Sequence, residues 1–411
     1  MLILFDFFDV EAPDNLNSIV ANSTEVSAVL INLWYVAEWS ITLKDEPVKV
    51  KMLGQNFVLF RDEAGKAHCL SDVCIHRGGS LSGGRCIDGN VACPYHGWQF
   101  NGEGQVKFIP SEGRDFKIPD RARVDAYPTE ERYGMIWVFL GDLPEEERPE
   151  IPPFPEYTDP NWKAITDEWV WKAEAARVIE NGIDLAHASF VHPVFGYPDT
   201  AGDNEILKVE KDDMNAMSWN VQYPPQLKGE LGLRRFIRKD RQPTETIPGY
   251  HMSGYVVRIQ INLNAKMNLL MFDCNTPVDE HTTKTFATQL RTFFKQDIFD
   301  KGSRKRLRKV FREDAEIIER ASPNYLPENL ANELSVQDDR FMSTFRSARR
   351  RLIEKGWQID SYTVKQYEGR KVFAIPSPMR RTHPELKWVM EEIPLVQPAA
   401  SLAIGEREAL S

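Results

Sequence analysis

Two short runs, Cys74-Ile75-His76-Arg77-Gly78-Gly79 and Cys93-Pro94-Tyr95-His96-Gly97-Trp98, decide how this chain is read. Sixteen residues separate His76 from Cys93, and each run sets one thiol and one imidazole close enough to grip a common centre. A [2Fe–2S] cluster with two thiolates on one iron and two imidazoles on the other needs this donor set. Glycines beside both runs permit tight loops with backbone amides near the sulfurs. A structural zinc site draws on the same residue types, although the short Cys-x-His spacing departs from the usual finger pattern.

Outward from these runs the texture is β from Leu30 to Leu140, with short apolar stretches such as Asn56–Phe60 and Met135–Leu140 broken by Gly, Asp and Pro. A Pro- and Glu-rich stretch from Gly141 to Pro160 reads as an extended connection between domains. Beyond it a helix is expected from Arg177 to about Phe190, a loop from Pro193 to about Asn204, and strands from about His251 to Phe294. Two helices, Ser303 to Arg320 and Asp338 to Lys355, and a weakly patterned tail from Leu395 complete the chain.

The 411 residues allow two or three domains, and the composition, 42% hydrophobic and 27% charged, is that of a globular protein. A formal charge of −10 lacks the basic footprint of a nucleic-acid binder. No apolar run reaches the roughly 18 residues of a membrane span. The apolar stretch Met1–Val10 contains Asp6 and Asp9 and lacks a basic flank, so a cytoplasmic protein is expected. Five cysteines in so long a chain do not suggest a disulfide scaffold, and Cys69, Cys86 and Cys274 read as structural.

The second constellation is Asn181-Gly182-Ile183-Asp184-Leu185-Ala186-His187-Ala188-Ser189-Phe190-Val191-His192-Pro193. Asp184 and His187, three apart, share one face of a helix. His192 follows five residues after His187, and Pro193 pushes it out of the helical region so that it can swing back. Two imidazoles and a carboxylate on one face of an iron leave open positions for dioxygen and substrate. The carboxylate must come from far along the chain, where Asp297, Asp300, Glu313, Asp314 and Glu316 are available. The apolar stripe Val310, Ile317 and Ile318 includes Asp314 at helical spacing, so Asp314 is expected inward and Glu313 and Glu316 outward.

The sequence resembles the large oxygenase component of the Rieske non-haem iron oxygenases. The match runs from Trp34 through both cluster runs to Pro110 and resumes at the Asp184-x-x-His187-x4-His192 motif. Respiratory Rieske proteins carry two further cysteines where this chain has Gly79 and Tyr95, which sets that branch aside. The resemblance implies an α+β protein: an all-β Rieske domain over residues 30–145, then a catalytic domain over 146–411, with residues 1–29 packed on it. That second domain is expected to be a helix-grip (START or Bet v 1-like) fold with an antiparallel sheet.

By the same match Cys74, His76, Cys93 and His96 hold the cluster, and His187, His192 and Asp314 hold Fe(II). Asp184 links His187 to a cluster histidine of a neighbouring subunit, and Asn181 stands near the iron. The implied partners are an organic, cyclic substrate, O2, and a flavin reductase or ferredoxin that delivers electrons from NAD(P)H; the implied assembly is a homotrimer. The branch suggested is the single-subunit one of hydroxylating monooxygenases and demethylases. A ring cis-dihydroxylating dioxygenase, an electron carrier without oxygenase activity and a zinc-stabilised binding protein are the alternatives.

Other features read as bland. The basic run Ser303–Lys309 and Arg349-Arg350-Arg351 suit solvated helix faces better than docking sites. Met267–Phe272 suits either a substrate wall or a strand packed under a helix, and Asn275-Thr276-Pro277 has no assignable role.

Overall fold

The computed structural model describes residues 28–192, 204–222, 244–327 and 332–397. Eleven strands come first: β1 (Leu33–Trp39), β2 (Val48–Met52), β3 (Gln55–Arg61), β4 (Ala67–Ser71), β5 (Arg85–Ile87), β6 (Asn90–Ala92), β7 (Gln99–Phe100), β8 (Val106–Phe108), β9 (Ala126–Tyr127), β10 (Thr129–Arg132) and β11 (Met135–Leu140). They form three small sheets in the orders β1-β11-β10, β2-β3-β4-β9 and β5-β6-β7-β8. The β texture expected from Leu30 to Leu140 is present; the loop with Cys74 and His76 connects β4 to β5, and the loop with Cys93 and His96 connects β6 to β7.

Strand β11 shows why this unit cannot stand apart from the rest. All six of its residues are buried. Ile136, Val138 and Leu140 face one core, shared with Ile179 and Ile183 of a later helix, whereas Met135, Trp137 and Phe139 face a second core. A strand buried on both sides reads as an unbroken apolar run, which is how Met135–Leu140 is written.

The second unit is a seven-stranded antiparallel sheet made of β12 (Lys163–Trp171), β13 (Asn204–Lys211), β14 (Asn215–Gln222), β15 (Thr244–His251), β16 (Val256–Asn264), β17 (Met267–Asp279) and β18 (Thr282–Arg291), in the order β12-β18-β17-β16-β15-β14-β13. One face, through Leu270, Phe272, Cys274, Phe286 and Leu290, packs on Trp34, Trp137 and Phe139. The opposite face receives helices α1 (Ala175–Ile183), α3 (Asp300–Ile318) and α4 (Arg340–Glu354), with the single turn α2 (Ala188–Val191) following α1. This is the α+β arrangement expected of the second domain.

Several expectations need correction. The helix predicted from Arg177 to Phe190 breaks at Asp184, which lies at φ −74°, ψ 125°. Its Oδ1 accepts a hydrogen bond from the Ala186 amide at 2.7 Å, and that local bond competes with the helical ladder. The connection after Gly141 is not free, because Ile151 and Phe154 are buried and Phe154 stacks on Phe272 at 4.0 Å. Arg349 is not solvated: it is buried and donates to Glu174 at 2.9 Å. Arg308, in the first basic run, donates two bonds to Asp167. Met267–Phe272 is a strand with two faces, Leu270 and Phe272 packing on Trp137 and Phe139 of the N-terminal unit and Leu269 and Met271 half-buried on the opposite face. Asn275-Thr276-Pro277 is a junction: Asn275 donates to the Tyr255 carbonyl, Thr276 to that of Val36, and the Pro277 carbonyl accepts from Leu53.

Asn204 opens β13; the rest of the loop expected from Pro193 lies outside the described residues, as do residues 1–27 and 398–411. The first described residues, Ala28 and Val29, are buried, and the Val29 carbonyl accepts from Ile359. Cys69 and Cys274 are buried in cores, Cys86 is half-buried, and all three are free thiols.

The segment after α4 returns to the N-terminal unit through one buried ion pair. Arg380 donates from Nε and Nη2 to the two oxygens of fully buried Asp125, both at 2.7 Å, and its guanidinium lies 4.5 Å from the Trp388 ring centroid. Replacing Asp125 by Ala leaves a buried guanidinium without its anion. Thermal or urea unfolding of Asp125→Ala should therefore show a loss of about 3–5 kcal/mol, and an unchanged melt would show the pair to be dispensable.

Candidate functional site

The two cysteine loops share one backbone device. In each, the cysteine carbonyl accepts a hydrogen bond at 2.9 Å from a glycine amide four residues on, Gly78 for Cys74 and Gly97 for Cys93. Both glycines sit at positive φ, +72° and +71°, where an L side chain is strained. The loops thus turn back on themselves and face each other. Cys74 and Cys93 are buried, and their thiols contact each other. Burial, and after it the neighbouring Cys93, pushes the Cys74 thiol up to about 12. A thiolate pair packed this tightly needs cations to hold it ionised, which ferric and ferrous ions supply.

The imidazoles lie outside the thiols. The His76 and His96 rings are 4.6 Å apart between centroids, and His76 stacks on Trp98 at 4.6 Å and 8°. His76 Nδ1 is buried with no hydrogen-bond partner, an orphaned nitrogen of the kind a metal fills. A side chain at Gly79 would put its Cβ 2.9 Å from Cys93 Sγ, so the space beside the thiols stays clear only with glycine. The four residues fit a [2Fe–2S] cluster, which Cys74 and Cys93 would hold from the buried side and His76 and His96 from the exposed side.

The second site joins α1–α2 to α3. His192 leaves the short turn at φ −113°, ψ 97°, as a residue before proline does, and swings toward His187. His187 Nε2 lies 3.3 Å and His192 Nε2 3.0 Å from Asp314 Oδ1. One ligand atom from each of the three residues lies within 4.8 Å of the others. Yet Asp314 Oδ1, though buried, makes no aligned hydrogen bond, an unmet acceptor of the kind a shared metal ion satisfies. Ligands about 2.1 Å from one ion and at right angles stand about 3.0 Å apart, so the separations suit a metal. Burial opposes charge on both partners, but the Asp184 and Asp314 carboxylates push His187 up to about 9, and the imidazoles hold Asp314 below the ordinary carboxylate range. The site is built for positive charge.

Each imidazole is also held from behind. His187 Nδ1 faces Asp184 Oδ2 at 3.4 Å. His192 Nδ1 bonds Glu313 Oε2 at 3.0 Å. A proton on Nδ1 of each ring leaves the Nε2 lone pair for the metal. The sequence reading sent Glu313 outward with Glu316; Glu316 is exposed, but Glu313 is half-buried against His192. A helical stripe cannot reveal this, because the partner comes from a loop distant in sequence; only the doublet Glu313-Asp314 hinted at it.

The stripe itself is displaced from the expected one. The buried residues of α3 are Ser303, Leu307, Phe311, Asp314 and Ala315, whereas Ile317 is 55% exposed. Asp297 and Asp300 pair with Lys163 and Arg291 instead of the histidines. Asn181 is half-buried on α1, and its side chain makes no hydrogen bond among the described residues.

Known proteins match along the same division. Residues 33–128 match the Rieske [2Fe–2S] domain family, and residues 171–355 match the vanillate O-demethylase oxygenase C-terminal domain. The chain is 28% identical over 326 residues to methylxanthine N1-demethylase NdmA of Pseudomonas putida, covering 77% of this chain and 82% of that one. It is 42% identical over 173 residues to chlorophyllide a oxygenase of Chlamydomonas reinhardtii, a match spanning 42% of this chain but only 26% of that longer protein. The solved structure of a Pseudomonas putida NdmA variant with theobromine superposes with a TM-score of 0.64 at 26% identity, covering 78% of this chain and 89% of that one. With both domains matched and both sets of donors assembled, the chain belongs to the Rieske non-haem iron oxygenases, on the branch of monooxygenases and demethylases.

Proposed function

We propose that this chain is the terminal oxygenase of a multicomponent system that hydroxylates or oxidatively demethylates an organic, cyclic substrate with O2. Electrons come from NAD(P)H through a separate flavin reductase or ferredoxin. The observation that carries this reading is the convergence of His187, His192 and Asp314 on one buried point, in a chain that also carries the paired cysteine–histidine loops. On this reading Cys74, His76, Cys93 and His96 hold a [2Fe–2S] cluster, and the triad holds iron. The boundary near residue 145 then separates electron delivery from oxygen chemistry.

His187, His192 and Asp314 would hold an iron ion, which when bound would supply reductive activation of dioxygen. The chain's own part is positional. Glu313 accepts from the His192 Nδ1–H and fixes that ring's tautomer, while the Asp184 carboxylate stands 3.4 Å behind His187 Nδ1 and biases its charge. Asp314 brings a negative charge to a buried place. The Asp184 side chain stays about a quarter exposed, and His96 is exposed. These two features support a homotrimer in which a cluster histidine of one subunit meets Asp184 of the next, so that electrons cross between subunits. No helix among the described residues is long and apolar enough to cross a membrane, which accords with a cytoplasmic location.

Two outcomes follow. Purified His192→Ala should lose the mononuclear iron and all product formation while keeping the reduced-cluster EPR signal and its acid-labile sulfide; substrate oxidation by that variant would end the assignment. Glu313→Gln should keep both centres as isolated but release the mononuclear iron to a chelator at about 10- to 100-fold lower chelator concentration than the parent. Equal retention of iron would leave Glu313 without a role at the site.

A further inference from the structure

Among the described residues, Asp125, Asp167, Glu174 and Glu180 are buried against arginines, Asp314 meets imidazoles, and Asp72 accepts from Ser80 and Ser82. Asp273 is the exception. It is 8% exposed, and its Oδ1 is fully buried with no hydrogen-bond partner. Burial alone pushes its pKa up to about 8, with no cation near enough to oppose the shift. A lone buried carboxyl group is costly unless something outside the chain satisfies it.

Its place in the sheet says what that something is. Asp273 lies on β17 directly between Val257 of β16 and Ala287 of β18, and Asp167 of β12 continues the row. Residues in one such row share a face. Val257 packs against Gly182 of α1, where an added Cβ would stand 2.9 Å from Cγ1. Ala287 shares a cluster with Val178 of α1 and Ala315 of α3, and Asp167 is held by Arg308 of α3. Asp273 therefore stands on the sheet floor beneath the two helices that lead into Asp184 and Asp314. Along the same face Ile259 pairs with Met271 and Ile261 with Leu269, all four half-buried, with Gln289 beside Met271.

We propose that Asp273 selects the substrate, as the hydrogen-bonding partner of a neutral hydroxyl or carbonyl group on an otherwise apolar ring molecule whose body lies along Ile259, Ile261, Leu269 and Met271. This rests on the oxygenase reading above and names its substrate class. A carboxylic acid in an apolar wall both donates and accepts, so it matches a neutral polar group without bringing a second charge out of water. An apolar ring fills the remainder of the wall by burial alone.

The test is binding without turnover, by calorimetry on the iron- and cluster-loaded protein with no reductant, using 2-tetralol, 2-tetralone, tetralin and 2-aminotetralin. The parent should bind the alcohol or the ketone about tenfold more tightly than tetralin. Asp273→Leu should abolish that preference, keep tetralin binding and melt at a higher temperature, because an unsatisfied buried acid is gone. Asp273→Asn should retain most of the preference. A lower melting temperature for Asp273→Leu with the preference intact would make Asp273 structural and overturn the proposal. So would a preference for the amine that Asp273→Asn destroys, or binding of none of the four. Since no turnover is involved, an inactive enzyme that still discriminates would count against the oxygenase reading and not against Asp273.

Discussion

Most of the carboxylates taken out of water here meet a cation, and that pairing organises both the scaffold and the site. Glu174 and Glu180 on the α1 segment meet Arg349 and Arg346 of α4, Asp167 of β12 meets Arg308 of α3, and Asp125 meets Arg380 from near the end of the described chain. The first two fasten one helix to another, the third fastens a helix to the large sheet, and the last ties the returning segment to the N-terminal unit. Such pairs add little net stability compared with apolar packing, but they fix which partner goes where. Asp314 is the buried acid whose requirement is met by imidazoles, which are cations only when protonated. That is what distinguishes a place for metal from one more fastening.

The two candidate sites orient their donor side chains by different means. At the cysteine loops the backbone does it, through a carbonyl-to-glycine bond repeated in both loops, so that two hairpins present matched donors. At the histidine pair the side chains do it, each ring being held from behind by a carboxylate from a different element. The first solution is local in sequence and the second is not.

That difference explains what could be read from the sequence. Cys74, His76, Cys93, His96, His187 and His192 were legible because their spacing is short and their residue types are chemically restrictive. Asp314 was legible as a charge on an apolar stripe, although the stripe that the helix buries runs through Leu307 and Phe311 and leaves Ile317 exposed. Glu313 and Arg349 were misread because their partners, His192 and Glu174, lie in remote segments that no local pattern reports. Strands β12 and β14 escaped notice because their buried positions include Asp167, Ser218 and Asn220, polar residues whose remote partners, Arg308 of α3 for Asp167 and the Thr246 carbonyl of β15 for Asn220, no local pattern reports.

Strand β11 carries a consequence for how such a protein can be taken apart or recombined. Because Trp137 and Phe139 are covered by the far sheet and Val138 and Leu140 by the other core, a severed electron-transfer fragment would present a sticky aromatic strip to solvent. Chimeras spliced at the proline-rich connection would meet the same difficulty, since the seam that must match is a surface inside the molecule and not a point along the chain. Grafting between relatives would have to carry β1, β11 and the underside of the large sheet as one inherited block.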